Sequence, residues 1–187
     1  MSLTKLNVAR ALTGATPVAN GGTALTSGFV NGGALSVVDQ WRLTSSFTAD
    51  AEPITSNLER VDTGGQGTLG SAMTESSGIF TFPSTGIWLV MYDAKFSHAG
   101  SVNSVSNEIY VTTNNSSYAM VAYNGYAITQ SGSSTYRGCS TTSSLIDVTD
   151  VANVKVQFRI HTDSTASCEG TTSDNRTTMT FVRVGDT

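Results

Sequence analysis

Apolar residues recur at every second position over much of the chain and almost nowhere at helical spacing. From Gly86 to Phe96, Trp88, Val90 and Tyr92 alternate with Ile87, Leu89 and Met91. Both sets are apolar, so the strand predicted here is buried on both sides or lies at a subunit contact. From Val154 to His161 the alternation is cleaner: Val154, Val156, Phe158 and Ile160 are set to face inward, and Lys155, Gln157, Arg159 and His161 outward. Gly78 to Pro83 alternates again and stops at a proline, which cannot donate to a central ladder. Trp41, Leu43 and Phe47 open another such run. Glu108–Thr112, Tyr118–Tyr123, Gly125–Thr129 and Ser144–Val148 are shorter β-rich segments, and Thr177–Val184 closes the pattern with Met179, Phe181 and Val184 inward. Asn114-Asn115 and Asn124-Gly125 sit between such runs as turn signals, the second being a hairpin signal because both residue types tolerate positive φ. The best helical candidate, Lys5 to Leu12, is cut short by Gly14 and Pro17. Roughly ten short antiparallel strands separated by turn residues predict an all-β sandwich or jelly roll.

Residues 1–40 have a different texture, with two Gly-Gly pairs, many small residues and only scattered apolar ones. Such a stretch cannot by itself bury enough surface to offset its ordering entropy. It is either a loose tail or an arm that orders against another protein. The recurrence of Leu3, Leu6, Val8, Leu12, Phe29, Val30 and Leu35 as anchors favours the arm. The division expected is an arm over 1–40 and a sandwich over 41–187.

Composition narrows the function. Of the 187 residues, 25 are Ser and 28 Thr, only 13% are charged, and the net charge is −4. Ten basic residues do not make the clustered cationic face that phosphate-dominated nucleic-acid binding needs. No window approaches the apolar length of a membrane span, and the N-terminus lacks the apolar segment of a secretory signal. The two histidines, His98 and His161, and the two cysteines, Cys139 and Cys168, show no metal-ligand spacing. Both imidazoles are expected to face solvent. The cysteines lie in or beside Ser/Thr/Gly-rich segments read as loops, which suits either one disulfide or two thiols. Asp50, Glu52, Glu59 and Asp62 lie close together in the chain without the spacing of a calcium loop, and read as solvated carboxylates. Gly64-Gly65-Gln66-Gly67 reads as a turn. No nucleophile–base signature and no phosphate loop is present, so no cofactor, metal or catalytic residue is expected.

The segment Ser77 to Tyr92 (SGIFTFPSTGIWLVMY) resembles the signature of the C1q/TNF-like superfamily, a Phe-x-x-Pro-x-x-Gly-x-aromatic core filled here by Phe80, Pro83, Gly86 and Trp88. The longer phrase from Trp41 to Val90 is similar to C1q-like proteins of bacteriophages that infect marine bacteria, and the N-terminal phrase around Leu3–Asn7 to the attachment ends of phage fibre and head-decoration proteins. The resemblance implies a ten-stranded jelly-roll protomer packed as a homotrimer, with Tyr118 and Tyr123 as candidate trimer-interface residues. It further implies a non-enzymatic virion protein on the outer surface of the capsid, a decoration or cement protein or short head fibre that docks on the major capsid protein or another virion protein through its arm. The alternative is the tip of a tail fibre, with exposed tyrosines (Tyr118, Tyr123, Tyr126, Tyr136) stacking on a host surface glycan.

Overall fold

The computed structural model describes residues 35–129, 134–162 and 166–187. The helical candidate Lys5–Leu12 and the anchors Leu3, Leu6, Val8, Leu12, Phe29 and Val30 lie outside the described residues. Among those described there are twelve strands and no helix: β1 (Val37–Leu43), β2 (Phe47–Thr48), β3 (Leu58–Arg60), β4 (Thr74–Ser76), β5 (Ile79–Thr81), β6 (Gly86–His98), β7 (Val102–Thr112), β8 (Ala119–Ile128), β9 (Tyr136–Val148), β10 (Lys155–Thr162), β11 (Ser167–Cys168) and β12 (Thr178–Gly185). They form two antiparallel sheets. One runs β2-β11-β6-β12-β1-β3, with β9 paired along the other side of β6; the second runs β4-β5-β10-β7-β8.

The core is the sum of the inward sets that alternation predicts. Trp88, Val90, Tyr92 and Phe96 of β6 and Val156, Phe158 and Ile160 of β10 are all buried. Their rings, with Trp41, Phe80, Phe82 and Phe181, make a continuous aromatic layer between the sheets. Phe80 lies edge-on to Trp41 at 5.4 Å and to Phe158 at 5.3 Å, and Phe82 packs at 5.2 Å from Trp88. Each of these aromatics contributes large buried area plus about 0.5–1.5 kcal/mol for a well-oriented pair. The signature residues are placed accordingly. Trp88 is fully buried and its indole N–H donates to the Ser84 carbonyl at 3.2 Å. Gly86, with φ +137°, opens β6 where a Cβ would lie 2.5 Å from the Gly185 carbonyl oxygen. Only glycine fits there.

A charged group is buried within this core. Asp39 of β1 is fully buried and accepts from the Trp41 indole N–H at 3.1 Å, the Met73 backbone N–H at 2.9 Å and the Arg60 guanidinium at 3.1 Å. Arg60 also lies over the Trp41 ring. This carboxylate ties β1, β3 and the segment before β4 together. Nothing in the alternation pattern signals it.

The structure departs from the sequence reading at several places. β1 starts at Val37, inside the segment assigned to the arm, because Val37–Arg42 pair with Arg183–Thr178 of β12. The Asn124-Gly125 hairpin does not form: β8 runs straight through, with Asn124 opposite Asn107 and Gly125 opposite Ser106. Gly125 is needed for close approach instead, since a Cβ would lie 2.6 Å from the Tyr123 hydroxyl and 2.9 Å from the Val105 carbonyl oxygen. The β7–β8 turn is at Asn114-Asn115, where Asn115 has φ +53° and the Asn114 side-chain oxygen accepts from the N–H groups of Ser116 and Ser117. Ser144–Val148 is only the end of β9, a 13-residue strand that includes Cys139 and the hydroxyl-rich run before it. Gln157, set to face outward, is nonetheless buried, since β10 is central in its sheet. Val184 faces solvent because the β12–β6 register slips between Arg183 and Gly185. The Gly64-Gly65 turn is as expected, both residues having positive φ.

Candidate assembly surface

The outward set of β6 is apolar but only half-buried, and it belongs to a longer row. Leu89 pairs with Leu145 of β9 on one side and Val182 of β12 on the other; Val182 pairs with Val38 of β1, and Val38 bridges to Leu69. Residues directly opposite in an antiparallel ladder point to the same face. Five neighbouring segments therefore present Leu145, Leu89, Val182, Val38 and Leu69 in one line across the outer face of the larger sheet, a span of about 19 Å at the usual strand spacing. Leu145 is 66% exposed and Leu69 48%.

A second apolar surface lies at the sandwich edge. β8 and β9 each form one edge of their sheet and pack beside each other, with the Asn124 amide donating to the Thr141 carbonyl at 2.8 Å. Met120, Val121 and Tyr123 of β8 are each about half exposed. An exposed, apolar, ten-residue edge strand with unpaired backbone groups is what soluble proteins normally cover. Of the two tyrosines expected at a subunit contact, Tyr123 is in this patch and Tyr118, half-buried, immediately precedes β8. Tyr126 is not available to stack on a ligand: its hydroxyl is enclosed, its ring lies against Gly138, and burial raises its pKa to about 12. Leu35, the described member of the arm anchors, is 52% exposed.

An edge and a face are different surfaces. If the edge of one copy covers the face of the next, the contact is heterologous, closing into a ring when the rotation between copies closes and running on as a filament when it does not, in contrast to a twofold contact that pairs one patch with itself.

No protein-family model matches this sequence, and no curated protein matches it. Solved structures do. The Eiger TNF of S. frugiperda aligns with a TM-score of 0.61 over 82% of this chain and 96% of that one, at 7% identity. Murine APRIL aligns with a TM-score of 0.54 over 79% of this chain and 98% of that one, at 11% identity. The fold is a TNF-like jelly roll.

Within the jelly roll, the other candidate residues are placed as follows. Cys139 and Cys168 are both free thiols. They sit on strands flanking β6, Cys139 opposite the outward Lys95 and Cys168 opposite the inward Phe96, so their side chains point to opposite faces and a bridge would need backbone rearrangement. Burial pushes the Cys168 thiol up to about 12, and its sulfur lies 3.6 Å from the Thr177 hydroxyl. Cys139 is exposed on the surface of β9. His98 accepts from the Gly100 N–H. His161 is half exposed, 2.9 Å from Asp50. Glu59 pairs with Arg42 and so stands apart from Asp50.

Glu169, just beyond β11, was not singled out by sequence and is a junction of the larger sheet. It is 5% exposed and meets Lys95 of β6 at 3.6 Å, Arg137 of β9 at 3.0 Å and Arg176 at 3.3 Å. Burial raises its pKa, but hydrogen bonds from Ser97 and Arg137 and the Lys95 and Arg137 charges outweigh it, so the group titrates below the ordinary Glu range. A carboxylate held below its unfolded pKa stabilises the fold above that pKa and loses the contribution as pH falls through the folded one. Unfolding followed by fluorescence should therefore show stability falling below about pH 4.3, the ordinary Glu value, and the fall should be shallower in Glu169→Gln. Equal acid slopes in the two proteins would remove Glu169 as the source.

Proposed function

We propose that this protein is a non-enzymatic structural component of a bacteriophage virion: a homotrimeric capsid decoration or cement protein, or short head fibre, docked on the outer surface of the capsid through the segment that precedes β1. The observation that carries the reading is the pair of unlike apolar surfaces on one jelly roll, the β8–β9 edge and the Leu89 row. Three copies closing edge-to-face would cover both and leave the hydroxyl-rich, weakly charged remainder to solvent. A three-fold ring also suits attachment to a symmetric lattice, where three identical arms engage together and raise avidity without new contacts. The resemblance of Trp41–Val90 to phage C1q-like proteins supplies the virion context, and an arm that orders on a partner supplies the attachment.

Sedimentation should give a particle of about three times 19.5 kDa. Leu145→Asp places a charge where the proposed contact excludes water, and should weaken assembly by at least about tenfold while leaving the protomer folded. A wild-type monomer at micromolar concentration, or a Leu145→Asp variant as trimeric as wild type, would overturn this assembly. Attachment is tested by co-sedimentation with capsids lacking decoration, comparing the full chain with one deleted up to residue 34. The deletion must stop there, because Val37 begins a core strand. Binding lost with the arm supports docking. If neither form binds capsids, host-cell adsorption through a surface glycan becomes the reading.

A further inference from the structure

Ala51 and Ile160 exchange two backbone hydrogen bonds, Ala51 N–H to Ile160 at 2.9 Å and Ile160 N–H to Ala51 at 3.0 Å. Because Ile160 is buried, the residues flanking this bridge are presented outward in register: Asp50 meets His161 at 2.9 Å, and Glu52 meets Arg159 at 3.2 Å. Two carboxylates spaced i, i+2 on one segment are thereby brought to an imidazole 109 positions further on, and the ligand atoms of Asp50, Glu52 and His161 all lie within 4.8 Å of one another. We propose that these three side chains form a surface site for a divalent transition-metal ion such as zinc.

The donor set selects the class of ion. One imidazole nitrogen with two carboxylate oxygens suits zinc and its first-row neighbours, whereas calcium and magnesium take all-oxygen shells. Bond lengths of about 2.0–2.2 Å place ligand atoms somewhat closer together than the present spread, a change that side-chain rotation of exposed residues supplies. The parts are already held. The Thr162 N–H donates to Asp50 Oδ1 at 2.7 Å, fixing the carboxylate and leaving Oδ2 toward His161. A metal ion would take the place of the direct contact between Asp50 and His161. Glu52 would leave Arg159, whose guanidinium stays anchored over the Tyr110 ring at 3.8 Å. A groove of about 310 Å³ runs past Asp50 and Glu52, so the remaining coordination positions are open to water or to an outside ligand.

The test is titration of the full-length protein with zinc chloride, by calorimetry and by nitrogen–proton spectra of the two imidazoles. One ion per chain is expected, with the His161 signals shifting and those of His98 unmoved. Removing even an outer-shell partner costs about 10–100-fold in affinity, so His161→Gln and Asp50→Asn should each weaken binding at least about tenfold, and His98→Gln should not. Zinc should also raise the melting temperature of the wild type and of His98→Gln but not of His161→Gln. All three positions are exposed, and the spectra of the unsubstituted protein give an answer that needs no variant. Absence of saturable binding, a shift at His98 alone, or equal affinity in His161→Gln would overturn the proposal.

Discussion

Trp88→Ala is expected to cost about 3–5 kcal/mol, the range for deleting a large aromatic from a packed core. The indole is fully buried, packs 5.2 Å from Phe82, and holds the entry to β6 by donating to the Ser84 carbonyl. β6 is an interior strand of the larger sheet, paired on one side with β9 along its whole length and on the other with β12 and β11. The cavity would open where the two sheets and the Phe80–Trp88 signature meet. Denaturant unfolding at a fixed protein concentration measures the loss, since a protein that assembles has concentration-dependent stability. A change under about 1 kcal/mol would mean the indole is not the core element it is taken to be.

Asp39→Ala is expected to cost about 3 kcal/mol or more. Removing the carboxylate leaves the Met73 backbone N–H and the Trp41 indole N–H without acceptors in a buried site, each at about 1–3 kcal/mol, and takes the ion-pair partner of Arg60, whose guanidinium still donates to the Met73 carbonyl. Arg60 is partly exposed and reaches water, which keeps its share small. Asp39→Asn separates the parts. The amide keeps an acceptor oxygen for one of the N–H groups but loses the charge, so its stability should lie between wild type and alanine. An Asn variant as unstable as the alanine variant would assign the whole effect to the charge; a neutral alanine variant would mean water replaces the carboxylate.

Both predictions concern the protomer, whereas the proposed virion role depends on what the protomer leaves uncovered. The same strand serves both ends: the inward residues of β6 build the core, and its outward Leu89 lies in the apolar row between Leu145 and Val182. A substitution at Leu89 or Leu145 should therefore change assembly without the loss expected at Trp88, which separates folding from association experimentally.

Alternation by itself determined the fold class, the inward residues of β6 and β10, and the doubly apolar character of β6, while the Phe80-Pro83-Gly86-Trp88 signature was legible only as a resemblance. The first three follow from period-2 burial, which each strand encodes locally. Only the tertiary structure decided the rest. Asn124-Gly125 is a sound turn signal in isolation, but pairing with Ser106 and Asn107 of β7 keeps β8 extended, and the glycine serves close packing. The Ser/Thr run of β9 carries little hydrophobic signal, and it becomes a strand because β6 offers thirteen consecutive partners. Asp39 and Glu169 look like ordinary surface acids in sequence, and their burial depends on cations and N–H groups that arrive from distant strands. His161 meets Asp50 and Glu52 only because Ala51 bridges to Ile160. Local pattern records whether a residue will be covered; which residue covers it is set by pairing with strands distant in the chain, and that information is carried by no single segment.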